Sequence, residues 1–465
     1  MVHTFTALGV HVAVDVNSGA VHVLDKMMLD LLDQIQPPMG EHCPDSVKEA
    51  LGQYEPAELE EAWQELKELQ DQGLLFETDD YIDPGQAVQE GAPIKALCLN
   101  VAHDCNLRCK YCFASQGGYG TGKKLMSSEV ARAAIDFVVE KSGKRHNIEV
   151  DFFGGEPMMA LDTVKDTVAY ARSLEKEKNK HFRFTMTTNG VLLDEDNIRF
   201  FNREMKNCVL SLDGRKEVND AMRVFPNGAG SYDTIVPRFK ELVDDRGDQE
   251  YYLRGTFTRE NLDFAADVQA MAELGFRNIS VEPCVGPNDD PYAIKEEDVP
   301  QCKEEYEKLA RYLLKHPEIN FFHFNVDLSQ GPCVIKRMRG CGAGAEYVAI
   351  TPEGDIYPCH QFVGRAGYRM GNVLDGSFDG SIADRFANLN IYTREDCRNC
   401  WARFYCSGGC SAANLNANGD LKKPAHVGCE LQRKRLECAI AMQAIRAGMA
   451  EMPEESEPER AACES

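Results

Sequence analysis

Short apolar runs alternate with amphipathic stretches along most of this chain. Ala96–Ala102 (ALCLNVA) is a compact apolar run and predicts a buried parallel strand. Ser127–Lys141 opens on an N-cap serine and then repeats apolar residues at helical spacing. Further strands are predicted at Val150–Phe153, Phe182–Thr188, Cys208–Leu212, Tyr251–Phe257 and Asn278–Glu282, each with polar residues at or just after its C-terminal end. Helical stretches lie between several of them. The alternation predicts an α/β fold, a partial (β/α)6 barrel, whose sites belong at the C-terminal mouth. Ahead of it, Thr4–Leu8, Val10–Val16 and Ala20–Leu24 are β-prone, with turn chemistry at Asn17-Ser18-Gly19. Asp25 starts a helix over Lys26–Ile35, and Pro56–Gln72 is a second helix closed by Gly73. Leu74–Phe76 and Tyr81–Ile82 are expected to pair as a wing.

At 465 residues the chain is expected to hold about three domains. A net charge of −24 and a pI near 4.9 argue against nucleic acid, which selects basic surfaces. No apolar run approaches the roughly 18 residues needed to span a bilayer. The start, MVHTFTALGV, lacks the basic and long apolar regions of a signal peptide. The expectation is a cytoplasmic protein without membrane contact. Eighteen cysteines there are not a disulfide framework; they read as metal ligands plus some buried thiols.

Cys105, Cys109 and Cys112 form a C-x3-C-x2-C triad in the loop between the Ala96 strand and the Ser127 helix. Three thiolates are one short of the four that a 4Fe–4S cluster takes, which leaves one iron open. A zinc site would build on paired hooks with four ligands, and no fourth Cys or His lies close by in register. His103 reads as a satisfied polar residue. After the next strand comes Gly154-Gly155-Glu156-Pro157; glycines there admit a ligand close to the backbone, and the glutamate offers a carboxylate to an ammonium group.

The triad, with Tyr111 before its third cysteine, resembles the radical S-adenosylmethionine enzymes. The resemblance implies that the open iron chelates the methionine end of S-adenosylmethionine, which is cleaved to a 5′-deoxyadenosyl radical. It also implies that Gly154, Gly155, Glu156 and Pro157 hold the cofactor's amino end, with Thr188 and Asn189 at the following strand end. Tyr111, Ser211, Asp213, Arg254 and Glu282 would supply further cofactor contacts, although Ser211, Asp213, Arg254 and Glu282 could each equally be a turn, capping or structural residue.

Cysteines crowd again from Cys333. Cys341 is followed by twelve residues, Gly354, four residues and Cys359; then come Cys397-x2-Cys400-x5-Cys406-x3-Cys410, and Cys429. This spacing resembles the SPASM domain, implying two auxiliary 4Fe–4S clusters and three in all. The implied ligands are Cys341, Cys359 and Cys410 for the first, with Cys333 as candidate fourth. Cys397, Cys400, Cys406 and Cys429 would hold the second. A zinc ribbon is the competing reading of these residues. Of the remaining cysteines, Cys98, Cys208 and Cys284 are expected to be core thiols.

The N-terminal elements resemble winged-helix-like modules that bind leader peptides. Acidic residues dominate Glu55–Asp83, which opposes a DNA-binding winged helix, and the edge of a small sheet can accept a peptide strand. The expected organisation is a recognition module at 1–83, a linker at 84–93, the barrel at 94–330, the SPASM region at 331–445 and a disordered acidic tail at 446–465. The N-terminal strand pair, CNLRCKYCFA and GPCVIKRMRGCGAGAEYVAITPEGDIYPCHQFVG most resemble the SCIFF maturases. That resemblance implies thioether crosslinks from cysteine to threonine in a cysteine-rich precursor peptide with a leader, and a reductant such as flavodoxin or ferredoxin. Sactipeptide, quinohemoprotein and sulfatase maturases remain alternatives, as does a non-enzymatic electron-transfer protein. No protein general base stands out.

Overall fold

The computed structural model describes residues 1–79, 92–287, 289–328 and 337–451. Cys333, Cys463, the second half of the expected wing, most of the expected linker and residues 452–465 of the expected tail lie outside them.

The strands of the barrel alternate fully buried residues with partly exposed ones, except at the centre of the sheet. All eight residues of β4 (Ala96–His103) are buried, as a central parallel strand covered on two faces requires. Beyond it, β6 (Asn147–Gly154), β7 (His181–Thr188), β8 (Met205–Ser211), β9 (Tyr251–Phe257), β10 (Asn278–Pro283) and the two-residue β11 (Asn320–Phe321) follow in spatial order, every neighbouring pair parallel. The short β5 (Lys124–Leu125) pairs antiparallel with the end of β4. Helices such as Ser128–Lys141, where the Ser127 side chain accepts from the Val130 amide at 3.3 Å, cover the outside. With the strands parallel, His103, Gly154, Thr188, Ser211 and Pro283 end on one rim.

One connection departs from three separate domains. Strand β12 (Tyr347–Ile350) pairs parallel with β4, opposite Ala96–Leu99. The C-terminal region thus extends the barrel sheet through antiparallel β13 (Asp355–Tyr357), β14 (Gly371–Asn372) and β15 (Ser377–Phe378).

At the N-terminus β1 (Val2–Ala7), β2 (Val10–Asp15) and β3 (Val21–Leu24) form an antiparallel sheet in that order. Ala13 on one face meets Leu31, Leu59, Trp63 and Leu66 of the helices Lys26–Leu32 and Pro56–Asp71. The opposite face, with Val10, Val12 and Val14, belongs to the main core. The first half of the expected wing is absent: Leu74–Phe76 is a bend, because Phe76 takes a left-handed φ of 57° and Leu75 turns into the module core. Helix His426–Arg446 packs along Val299–Lys315 and against β1. His3 stacks on Trp401 with ring centres 4.1 Å apart, and the buried Arg403 reaches Asp79 at 3.0 Å. The N-terminal module is therefore seated on the C-terminal region by aromatic stacking and by an ion pair from the buried Arg403 to the exposed Asp79. Among the described residues no helix is long and apolar enough to cross a membrane.

Candidate functional site

The barrel rim encloses a cavity of about 240 Å³, and Cys105, Cys109 and Cys112 lie in its wall together with Tyr111, Gly154, Gly155, Glu156, Pro157, Thr188, Asn189, Ser211, Arg254 and Glu282. Strand ends bring these residues together from widely separated positions.

The cysteine loop is fastened at several points. The Arg108 amide donates to the Val224 carbonyl at 2.7 Å and the Lys110 amide to the Met222 carbonyl at 3.1 Å. Below the loop, the Gly155 amide donates to the Ala102 carbonyl at 2.7 Å and the Glu156 amide to the Asp104 carbonyl at 2.9 Å. A Cβ on Gly154 would lie 2.3 Å from the Ala102 oxygen, and one on Gly155 would lie 2.1 Å from the Asp104 oxygen. The two glycines line the cavity, but their first consequence is to let the loop's backbone lie directly against the end of β6.

Glu156 is buried and accepts from the Thr188 hydroxyl and the Asn189 amide, each at 2.8 Å, and from the Met158 amide at 3.1 Å. Burial pushes its carboxyl up to about 7 against those three donors. Glu156 thus ties the end of β6 to the end of β7 while keeping a face on the cavity. Asn189 also extends its side-chain nitrogen toward the Cys105 sulfur at 3.7 Å, and the Leu107 amide donates to the same sulfur at 3.4 Å.

Asp213 is placed differently from the other candidates. It is fully buried behind the wall and accepts from the Tyr111 hydroxyl at 2.8 Å, from Arg223 at 2.9 Å and from the Thr256 amide at 2.9 Å. Its contacts are to protein. Arg254 and Glu282 pair at 2.5 Å across the rim. Burial opposes ionisation of Glu282, but Arg254, His323 and Arg435 hold it well below the usual carboxylate range.

Sequence reasoning missed Arg223 and His360. Arg223 lines the cavity, lies 5.6 Å from the Tyr111 ring centre and keeps a buried, unpartnered Nε. It falls ten positions after Asp213, outside any recognisable motif, and is placed by its ion pair with Asp213 and by its neighbours' backbone bonds to the cysteine loop. His360 stacks on Phe153 at 4.8 Å and meets Phe113 at 5.3 Å, putting the residue after Cys359 on the same cavity as the triad. Its adjacency to Cys359 was the available signal.

The C-terminal cysteines gather in two neighbourhoods. Burial pushes Cys359 up to about 12, with Cys410 and Cys341 adding to it as adjacent thiols. Burial likewise pushes Cys397 up to about 12, with Cys406, Cys429 and Cys400 adding. Those last four line one cavity of about 380 Å³. Thiols placed like this ionise when iron or another cation draws the proton away. Among the described residues no three His, Cys, Asp or Glu converge closely enough for a single metal ion. A multi-iron cluster spreads its thiolates wider than one tetrahedral ion does, and four cysteines lining one cavity are the donor set such a cluster takes. Among the described residues, the cysteines outside the three sets are core residues: Cys43, Cys98, Cys208, Cys284, Cys302 and Cys438 are all buried.

Comparison with known proteins agrees with this geometry. Residues 99–267 match the Radical SAM superfamily, and residues 341–401 match the SPASM iron–sulfur cluster-binding domain. A cysteine-type anaerobic sulfatase-maturating enzyme of Clostridium novyi is 24% identical over 349 residues, covering 68% of this chain and 87% of that protein. The solved structure of anSMEcpe with bound AdoMet superposes with a TM-score of 0.64 at 21% identity, over 77% of this chain and all of that one. Streptococcus suis SuiB bound to its precursor peptide SuiA gives a TM-score of 0.53 at 15% identity, over 92% of this chain and 98% of that one. The chain therefore joins a radical SAM domain and a SPASM domain in one polypeptide.

Proposed function

We propose that this chain is a radical S-adenosylmethionine maturase that forms cysteine-to-threonine thioether crosslinks in a ribosomally made, cysteine-rich precursor peptide. One observation carries the reading: a single cavity is walled by the three-cysteine loop, by the β6–β10 strand ends and by His360, next to a C-terminal cysteine. Relatives that mature sulfatases and a structural neighbour captured with a precursor peptide support a peptide substrate.

Cys105, Cys109 and Cys112 would hold a 4Fe–4S cluster, and Gly154, Gly155, Glu156, Pro157, Thr188, Asn189, Ser211, Arg254 and Glu282 would receive S-adenosylmethionine. Bound there, the cofactor supplies a carbon radical able to take hydrogen from a substrate carbon. The protein's own contribution is placement. The β6–β7 tie through Glu156 fixes the rim, and Tyr111 is held by Asp213 and Arg223. Phe153, His360 and the half-exposed Phe113 form an aromatic wall on the side facing Cys359. Cys341, Cys359 and Cys410 would hold the first auxiliary cluster, beside the cavity, where a substrate thiol must arrive to join the carbon. Cys397, Cys400, Cys406 and Cys429 would hold the second, for three clusters in total. The edges of the β1–β3 sheet offer strand addition to a leader peptide, which raises the local concentration of the core peptide. A small reductant such as flavodoxin or ferredoxin would supply electrons in a cytoplasmic setting.

The test is incubation of the iron-loaded chain with a cysteine-rich precursor, S-adenosylmethionine and a reductant. Each crosslink removes two hydrogen atoms, one from sulfur and one from carbon, and fragmentation of the product locates the bond on threonine. A product linked elsewhere sends the reading to another peptide maturase. Excess free leader peptide should depress modification of full-length precursor at least tenfold while leaving cofactor cleavage without peptide unchanged, the arithmetic of a lost tether.

A further inference from the structure

Two arginines of the C-terminal region are almost wholly buried, and their surroundings differ. Arg403, 4% exposed, is paired with Asp79 at 3.0 Å. Arg394, 2% exposed, makes no ion pair among the described residues. One of its terminal nitrogens donates to the Gly408 carbonyl and the other to the Ser411 hydroxyl at 3.1 Å, while its buried Nε has no partner. A buried, unpaired guanidinium is costly, and arginine does not escape by losing its proton. Something anionic must compensate it when the protein is complete.

The hydrogen bonds say where. Gly408 and Ser411 belong to the segment Cys406–Ser411, which runs from a cysteine of one C-terminal neighbourhood to Cys410 of the other. Arg394 itself is three residues before Cys397. A Cβ on Gly408 would lie 2.4 Å from the guanidinium, so this glycine makes the room it occupies. The ionisable groups nearest the charge of Arg394 are the thiols of Cys397, Cys406, Cys410 and Cys429, which become anionic when they ligate a metal.

We propose that Arg394 is a counter-cation shared by the two auxiliary cluster sites, a positioning residue whose charge favours the reduced form of both. This rests on reading those cysteines as two cluster sites. A 4Fe–4S cluster with thiolate ligands is anionic and gains a further negative charge on accepting an electron. A fixed cation between two such groups stabilises each, more so once either is reduced.

The test is redox titration of the iron-loaded full chain, each cluster followed by its paramagnetic resonance signal, with iron content measured in parallel. In Arg394→Met both auxiliary potentials should fall, each by at least the 59 mV of a tenfold change in the reduced-to-oxidised ratio, while the triad cluster stays within experimental error. Arg394→Lys, which keeps the charge and loses the fork, should recover most of the shift. Ser411→Ala, a milder change that keeps both arginine and cysteines, should move both potentials the same way by less. If Arg394→Met loads no auxiliary iron, loss from both sites with triad iron retained supports the shared role. Loss from one site alone overturns it. A shift confined to one auxiliary cluster, no shift at all, or an equal shift at the triad also overturns it. Wild-type protein that binds no iron at these cysteines would instead reject the underlying cluster reading.

Discussion

The cysteine loop of the barrel and the cysteine-rich C-terminal region reach order by different routes. The loop is a graft on regular structure: it leaves β4, all of whose residues are buried, and rests on the end of β6. It is then laced to Met222 and Val224 by backbone hydrogen bonds. From Tyr347 to Asn418 the elements are short, four residues at β12, two at β14, four in the helices Glu395–Arg398 and Arg403–Cys406. Such pieces are marginal on their own. Cys397 and Cys406 sit in these short turns, and Cys400 and Cys410 sit beside them. If both hold clusters as proposed, the first site should be built before its metal arrives, whereas the second should need its metal to complete the fold.

The sharpest way to break this contrast is to remove the triad. Replacing Cys105, Cys109 and Cys112 together with Ala should abolish 5′-deoxyadenosine formation, a loss of at least about a thousandfold, leaving no chemistry for positioning to rescue. About two thirds of the iron should remain, if two of three four-iron clusters survive. The barrel should melt close to wild type, because its core does not pass through these cysteines. Retained cleavage, measured by chromatography, would end the assignment.

The second disruption goes the other way. Cys429→Ala should strip the second auxiliary site and cost at least about 3 kcal/mol, a fraction of what a structural metal can contribute. Hydrogen exchange should quicken between residues 337 and 425 while β6–β9 keep their protection. Uniform loss of protection across both regions would erase the distinction.

A smaller effect sharpens the preformed side. The Glu156 carboxyl, raised to about 7 by burial, loses its negative charge as pH falls through that value. Attraction for an ammonium group is lost in the same direction, so affinity for S-adenosylmethionine should weaken below pH 7 by at most about tenfold per unit. Glu156→Gln should bind more weakly at pH 8 and show a flatter profile. Equal slopes in equilibrium binding would remove Glu156 from cofactor recognition.

The barrel's regularity made it readable. The expected Tyr251–Phe257 strand has the bounds found, and Ser127 caps the helix it was expected to cap. Strand alternation and capping are local, so a sequence displays them. Partnership across long separations is not local. Nothing in the four residues Tyr347–Ile350 announces β4 as their neighbour, and nothing around Arg223 announces Tyr111. The expected wing failed at Phe76, where a left-handed residue ends extended structure and no glycine warned of it. Asp213 looked like its rim neighbours because it follows a strand, yet three protein donors draw it behind the wall. The C-terminal cysteine spacing was legible only through resemblance, since short turns leave no periodicity.

The pairing of β12 with β4 also orders events during synthesis. When β4 leaves the ribosome, one of its two parallel neighbours is still far downstream. At roughly 5–20 residues per second, tens of seconds pass before Tyr347–Ile350 emerges. Until then the strand that carries the cysteine loop presents an open edge, the kind that pairs with other chains. Iron delivered in that interval would meet a loop whose foundation is still half built.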